Sequence, residues 1–248
     1  MSPGAEAVTG GRQPWRALYA DAATFLSRGL VAGLICGLVI GGVGGRLAMF
    51  ALRLTSGGAL RGVETDDGFI IGSFTGATLF LVIVTGFLGA AGGLAYLGVC
   101  EWVPPRWRAA VYALLGATLG GAAVIRPEGV DFTELEPLRL AVAFFVILPA
   151  AYGAAVSLLA ERLVRAPRAP GALRIVLLVL PFGLLATGGG PFGLAALALG
   201  MGASAANRAG GVARAWRSAP ATWAGRAGLL GVFGLSGVAL LRDVGAVL

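Results

Sequence analysis

The sequence predicts an all-α fold, a single polytopic bundle of about seven transmembrane helices with the N-terminus inside and the C-terminus outside. Three observations predict it. Of 248 residues, 57% are hydrophobic and 42 more are glycine, whereas only 12% are charged, about half of what an ordinary soluble domain carries. Apolar stretches close to the length of a bilayer span, about 20 residues, recur along the chain. Arginines gather between those stretches with a two-sided asymmetry.

Residues 1–27 read as an inner tail. Trp15, Leu18, Tyr19, Ala22 and Leu26 recur at helical spacing opposite Arg16 and Asp21, which predicts a short amphipathic helix on the inner membrane surface. The first ten residues carry no positive charge, so the tail does not read as a signal peptide. Residues 28–248 then form one transmembrane domain. The first helix is expected over 28–52, because its apolar run continues past Arg46 to Leu52. The second covers 75–101 and stops at Glu101-Trp102-Val103-Pro104-Pro105, with an aromatic at the interface and prolines beyond it. Helices over 108–126 and 137–161 follow. The apolar stretch up to Asn207 is interrupted by Gly188-Gly189-Gly190-Pro191, a strong breaker, and reads as two short segments, 173–187 and 191–207, either two short passes or a re-entrant hairpin. The last helix, 219–241, starts after Ser218 and Pro220, with Arg226 reaching back to the near interface.

Charge supports this order. On the side read as inside lie thirteen arginines, among them Arg106, Arg108, Arg162, Arg165, Arg217 and Arg226, against Glu6, Asp21, Glu101 and Glu161. The other side holds Arg53, Arg61, Arg126, Arg139 and Arg242 against eight acids. Arginine excess belongs in cytoplasmic loops.

Absences narrow the chemistry. There is no histidine, hence no His-ligated zinc, no imidazole-ligated haem and no serine–histidine or cysteine–histidine relay. There is no lysine, hence no Schiff base to retinal or pyridoxal phosphate. Cys36 and Cys100 fall in or at the end of apolar runs and read as buried thiols. The pI near 10.6 reflects arginines placed between membrane segments and not a nucleic-acid partner. No cofactor and no metal site is expected.

The clearest pattern is Gly29, Gly33, Gly37, Gly41 and Gly45, five glycines at strict four-residue spacing. They form one bare stripe on which another helix backbone can lie. Gly89 and Gly93, and Gly116 and Gly120, answer it in the next two helices, which favours packing within the bundle over an intermolecular or lipid groove. Arg46 is the most expensive residue, because a charge inside a span costs a few kcal/mol unless it snorkels or pairs. Arg53 lies seven residues on, on the same face, and Asp66 and Asp67 are candidate partners if their loop folds over the outer mouth. The outer acids Glu64, Asp66, Asp67, Glu128, Asp131, Glu134 and Glu136 match no calcium-loop spacing and read as solvated charges. The Gly188, Gly189, Gly190, Pro191 break is either a tight turn or a discontinuity of the kind that transporters place at a substrate site.

Gly234-Leu235-Ser236-Gly237 resembles the GxSG nucleophile motif of rhomboid intramembrane proteases, but those enzymes pair the serine with a histidine and this chain has none. The resemblance covers four residues and lacks its base. The reading that remains is a non-enzymatic integral membrane protein, a subunit or scaffold that packs against the lipid bilayer, a membrane protein partner or a second copy through small-residue helix faces. A small-solute or ion transporter, with its pathway near Arg46 and the Gly188–Gly193 break, is the alternative. Arginine in place of all lysine, with alanine and glycine dominant, fits a GC-rich bacterial genome and so a bacterial cytoplasmic membrane.

Overall fold

The computed structural model describes residues 14–55, 76–129, 132, 137–165, 190–206 and 214–248. Among them there is no strand, and five helices are long and apolar enough to cross a membrane: Thr24–Thr55, Thr78–Trp102, Pro105–Val124, Leu138–Arg165 and Ala219–Val247. The chain is a helical membrane bundle.

The first rod has three parts, α1 (Pro14–Cys36), a π-helical stretch (Gly37–Gly44) and α2 (Gly45–Thr55). No break separates residues 14–27 from the expected first span: the segment read as a surface helix runs on through Arg28 into the membrane as one helix. Then come α3 (Gly76–Val99), ending in a short 3₁₀ turn at Cys100–Trp102, α4 (Arg108–Val124), α5 (Leu138–Arg165), α6 (Gly190–Ala206) and α7 (Ala219–Val247). The helix expected over 173–187 lies outside the described residues, as do Gly188 and Gly189. Gly190 and Pro191 form the first turn of α6, where proline's missing N–H has no intrahelical partner to lose. At 17 residues, α6 is about 25 Å long, short of a full span.

Two of the expected ends move outward. α5 keeps its helix one turn past Glu161 to Arg165, because Arg165 and Glu161 face each other at i,i+4 spacing, 3.6 Å apart. α7 continues to Val247, where Leu240, Val244 and Val247 pack on an apolar cluster of Leu52, Ile125, Phe132 and Ala141. That cluster closes one end of the bundle.

Backbone contact organises the interior. α1 runs antiparallel to α3, and side chains are missing from both at the crossing: a Cβ at Gly33 would run into the carbonyl of Gly89, and one at Gly93 into the carbonyl of Gly29. Gly37 meets Thr85 and Gly86 in the same way. A four-residue step overshoots an α-helical turn by about 40°, so a strict stripe must drift around its helix. The π stretch winds more slowly and delays that drift to Gly41, whose Cβ position lies 3.1 Å from the Thr85 side chain. Beyond it, buried Gly42 takes over against Thr85 and Val82, while no described residue comes within 4 Å of the Cβ position of Gly45. Four members of the stripe thus face α3 and the fifth does not.

α4 and α5 repeat the device. A Cβ at Gly116 would overlap the carbonyl of Pro149, one at Gly153 that of Tyr112, and Gly120 seats the Pro149 ring, whose Cγ is 2.7 Å from the Cβ position. Pro149 sits inside α5 and cannot donate a backbone bond there; the bare face of α4 accommodates its ring. α6 packs on α3 and α1, and α7 on α4.

Gly33→Val is expected to lower stability by about 3 kcal/mol or more, because neither backbone carbonyl at the crossing can give way. Gly45→Val should leave it unchanged. Thermal unfolding of the two purified variants in detergent measures the difference.

A polar cluster at the arginine-rich end

Charged and aromatic side chains collect at the end of the bundle opposite the Leu52 cluster. At their centre is Glu161, near the end of α5. Tyr96 of α3 donates its hydroxyl to Glu161 Oε1 at 3.0 Å, and Arg108, the first residue of α4, donates Nη1 to the same oxygen at 3.2 Å. Arg108 Nε also donates to the carbonyl of Val103, which ties the connection between α3 and α4 to the pair. The side chains of Arg108 and Glu161 are 21% and 26% exposed, so this pair is shielded more than a surface ion pair and counts for more. Arg165, 79% exposed, supplies the weaker second cation. Arg28 of α1 donates to the carbonyl of Val164 at 2.8 Å, satisfying one of the carbonyls that a helix end leaves without an intrahelical partner.

Below this end, two tyrosines hydrogen-bond to backbone. Tyr152 donates to the carbonyl of Gly89 and Tyr112 to that of Gly92, each at 2.6 Å. Glycine makes this possible, since a Cβ at Gly92 would occupy the place of the Tyr152 hydroxyl. The Tyr112 and Tyr96 rings meet edge to face at 5.1 Å. These bonds replace water with protein acceptors inside an apolar bundle, contributing about 0.6 kcal/mol apiece on average.

A second group binds α7 to α3. Arg217 holds Glu101 through two bonds, Nε to Oε2 at 3.1 Å and Nη2 to Oε1 at 3.4 Å, the paired geometry that arginine makes with a carboxylate. The adjacent Trp102 stacks on Trp216 with ring centroids 5.2 Å apart. Each indole rests on a glycine: Trp102 on Gly225 of α7, where a Cβ would enter the ring, and Trp216 at 3.4 Å from the Cβ position of Gly202 in α6. Arg226 donates Nε to the carbonyl of Trp102 at 2.9 Å and lies over the Trp223 ring, 5.7 Å from its centre. The indole N–H groups of Trp102 and Trp216 are buried and have no acceptor among the described residues.

Of the residues singled out by sequence, Gly29, Gly33, Gly37 and Gly41 come together with α3. Arg46 and Arg53 lie two turns apart on α2, both half-buried. Asp66 and Asp67, their candidate partners, lie outside the described residues, as do Glu64, Asp131, Glu134 and Glu136. Among the described residues no three His, Cys, Asp or Glu side chains converge. Cys36 and Cys100 are free thiols. Ser236 is buried on α7 and turns its hydroxyl back to the carbonyl of Phe233.

The Glu161 centre was not found by sequence reasoning, which counted Arg108 and Glu161 as separate inner charges. The two are 53 positions apart, and only the antiparallel pairing of α4 and α5 joins them. The tryptophan stack was missed for the same reason. A readable signal was present in the Glu101-Trp102 and Trp216-Arg217 dipeptides, both at helix ends on the arginine-rich side.

Chemically, the cluster clamps helix ends: Glu161 is matched to Arg108 and Arg165, and Glu101 to Arg217. Comparison with protein-family models, with curated proteins and with solved structures finds no match to this chain.

A double-mutant cycle of Arg108→Gln and Glu161→Gln is expected to show a coupling of about 1–2 kcal/mol. Arg165→Ala should fall within about 0.5 kcal/mol of the parent. Thermal unfolding of the four proteins of the cycle and of Arg165→Ala decides it.

Proposed function

We propose that the chain is a non-enzymatic subunit or scaffold of a membrane assembly, packing against another protein, a second copy or lipid through a small-residue helix face. The observation that carries this is α7. It is the most exposed of the five spans, and its glycines Gly228, Gly231 and Gly234 have no described residue within 4 Å of their Cβ positions. Beside them Leu230, Leu235, Val238 and Leu241 are about 70% or more exposed. The glycine faces of α1 and α4 are filled from within the bundle, so α7 is where a further helix backbone finds room. A shallow crevice of about 160 Å³ between α4 and α7, lined by Val111, Leu114, Leu115, Leu229, Leu230 and Phe233, adds an apolar socket beside that face.

The reading carries with it a cytoplasmic membrane of a bacterium, supported by composition, and an arginine-rich end that faces the cytoplasm. A second reading, transport of a small solute or ion, is favoured by one observation: the π-helical stretch Gly37–Gly44 leads straight into Arg46, and π-helical turns inside α-helices recur at functional sites.

Native mass spectrometry of the protein, extracted gently from its own membrane, tests the proposal. A stoichiometric complex is expected, and Gly231→Leu should dissociate it while leaving the chain folded. A lone monomer that retains a solute or ion would favour transport instead.

A further inference from the structure

Among the described residues, the arginine-rich end holds a half-buried cation on α7 that no acid neutralises. Glu161 is taken by Arg108 and Arg165, and Glu101 by Arg217. Arg226 is half-buried, two turns into α7, and its partners among the described residues are the carbonyl of Trp102 and the face of Trp223, both uncharged. A cation shielded from water and without a counter-charge is costly. Around it stand groups of matching chemistry. The buried indole N–H groups of Trp102 and Trp216 are donors without an acceptor among the described residues, although buried tryptophan N–H usually finds one. Arg106 lies 5.9 Å over the Trp107 ring at the next connection. Arginine and tryptophan together at a helix end mark the depth of lipid headgroups.

Cation, donors and depth share one complement, an anionic oxygen group at the membrane surface. We propose that the surface between the α3 end and the start of α7, centred on Arg226 with Trp102 and Trp223, binds the phosphate of an anionic phospholipid. Arg226 keeps its guanidinium Nη groups for the phosphate while Nε holds the Trp102 carbonyl. Trp223, 68% exposed, lies against the glycerol region, and the charge of the lipid offsets that of Arg226. The anionic lipids of a cytoplasmic leaflet supply the ligand on the side where arginines gather. This site uses residues other than the open glycine face of α7, so its failure and that of the subunit reading are separately observable.

The test is lipid selectivity at the tryptophans. The full chain is reconstituted in phosphatidylcholine vesicles containing brominated phosphatidylglycerol, and in the converse mixture, with bromine on the upper acyl chain. Tryptophan quenching then gives the relative affinity of the two lipids. A several-fold preference for phosphatidylglycerol is expected. Arg226→Gln should lose about fivefold of it, Arg226→Lys should retain most, and Arg165→Gln, at the same end but away from the site, should retain all. Inorganic phosphate at matched ionic strength should leave the preference intact. No preference in the parent protein overturns the proposal whether or not the variants fold. An equal loss in Arg165→Gln overturns it by showing a diffuse field, and competition by inorganic phosphate overturns the lipid as the source.

Discussion

The contact on which the bundle depends is that of two backbones with no side chains between them, where Gly29, Gly33 and Gly37 of the first rod lie on Gly86, Gly89 and Gly93 of α3. In a bilayer there is no hydrophobic gain from helix association, since lipid tails are as apolar as leucine. Close packing and hydrogen bonds must supply it, and both need approach distances that a Cβ would forbid. The same bareness serves α3 on its other sides. Gly89 and Gly92 present carbonyls to Tyr152 and Tyr112, and Gly98 admits Leu199 of α6. α3 is thus touched by α1, α5, α4 and α6 around its circumference, and by the start of α7 at its end.

How far this could be read from sequence depended on the range of the physics involved. Spans were legible because bilayer thickness sets their length, and Gly76–Val99 and Arg108–Val124 fall close to the expected 75–101 and 108–126. The glycine stripe was legible because its spacing is local. Of the glycines expected to answer it, Gly89 and Gly93 do, whereas Gly116 and Gly120 lie on Pro149 of α5, and its end at Gly45 was not legible either: the drift of a four-residue repeat, slowed by a π stretch, is a property of helix winding that residue types do not announce. Continuity of the first helix from Pro14 was hidden by Arg16, Asp21 and Arg28, which read as the charge of a surface segment.

The polar cluster was the least legible part. Arg108 and Glu161, Glu101 and Arg217, and Trp102 and Trp216 are each joined across more than fifty positions, and each half alone looks like an ordinary interfacial residue. Only the pairing of helices brings them into register. Once joined they hold the arginine-rich end through matched charges and stacked rings, while the opposite end is closed by leucine, isoleucine and phenylalanine packing. They also explain why Arg226 stands apart, as the half-buried cation for which the chain supplies a carbonyl and a ring but no described acid.

The bundle rests on the α1–α3 approach, and a paired-cysteine crosslink reports it directly in the native membrane. With Cys36 and Cys100 replaced by alanine, the double variant Gly41→Cys, Thr85→Cys places two Cβ atoms about 3.1 Å apart, a few tenths of an ångström inside the roughly 3.5–4.5 Å that a disulfide takes, so a slight parting of the helices completes the bond. Rapid and nearly complete crosslinking under mild oxidation is the predicted result, with none for Gly45→Cys, Thr85→Cys. Failure of the first pair to crosslink, or equal crosslinking of both, would contradict the glycine-mediated packing from which the rest of the bundle is built.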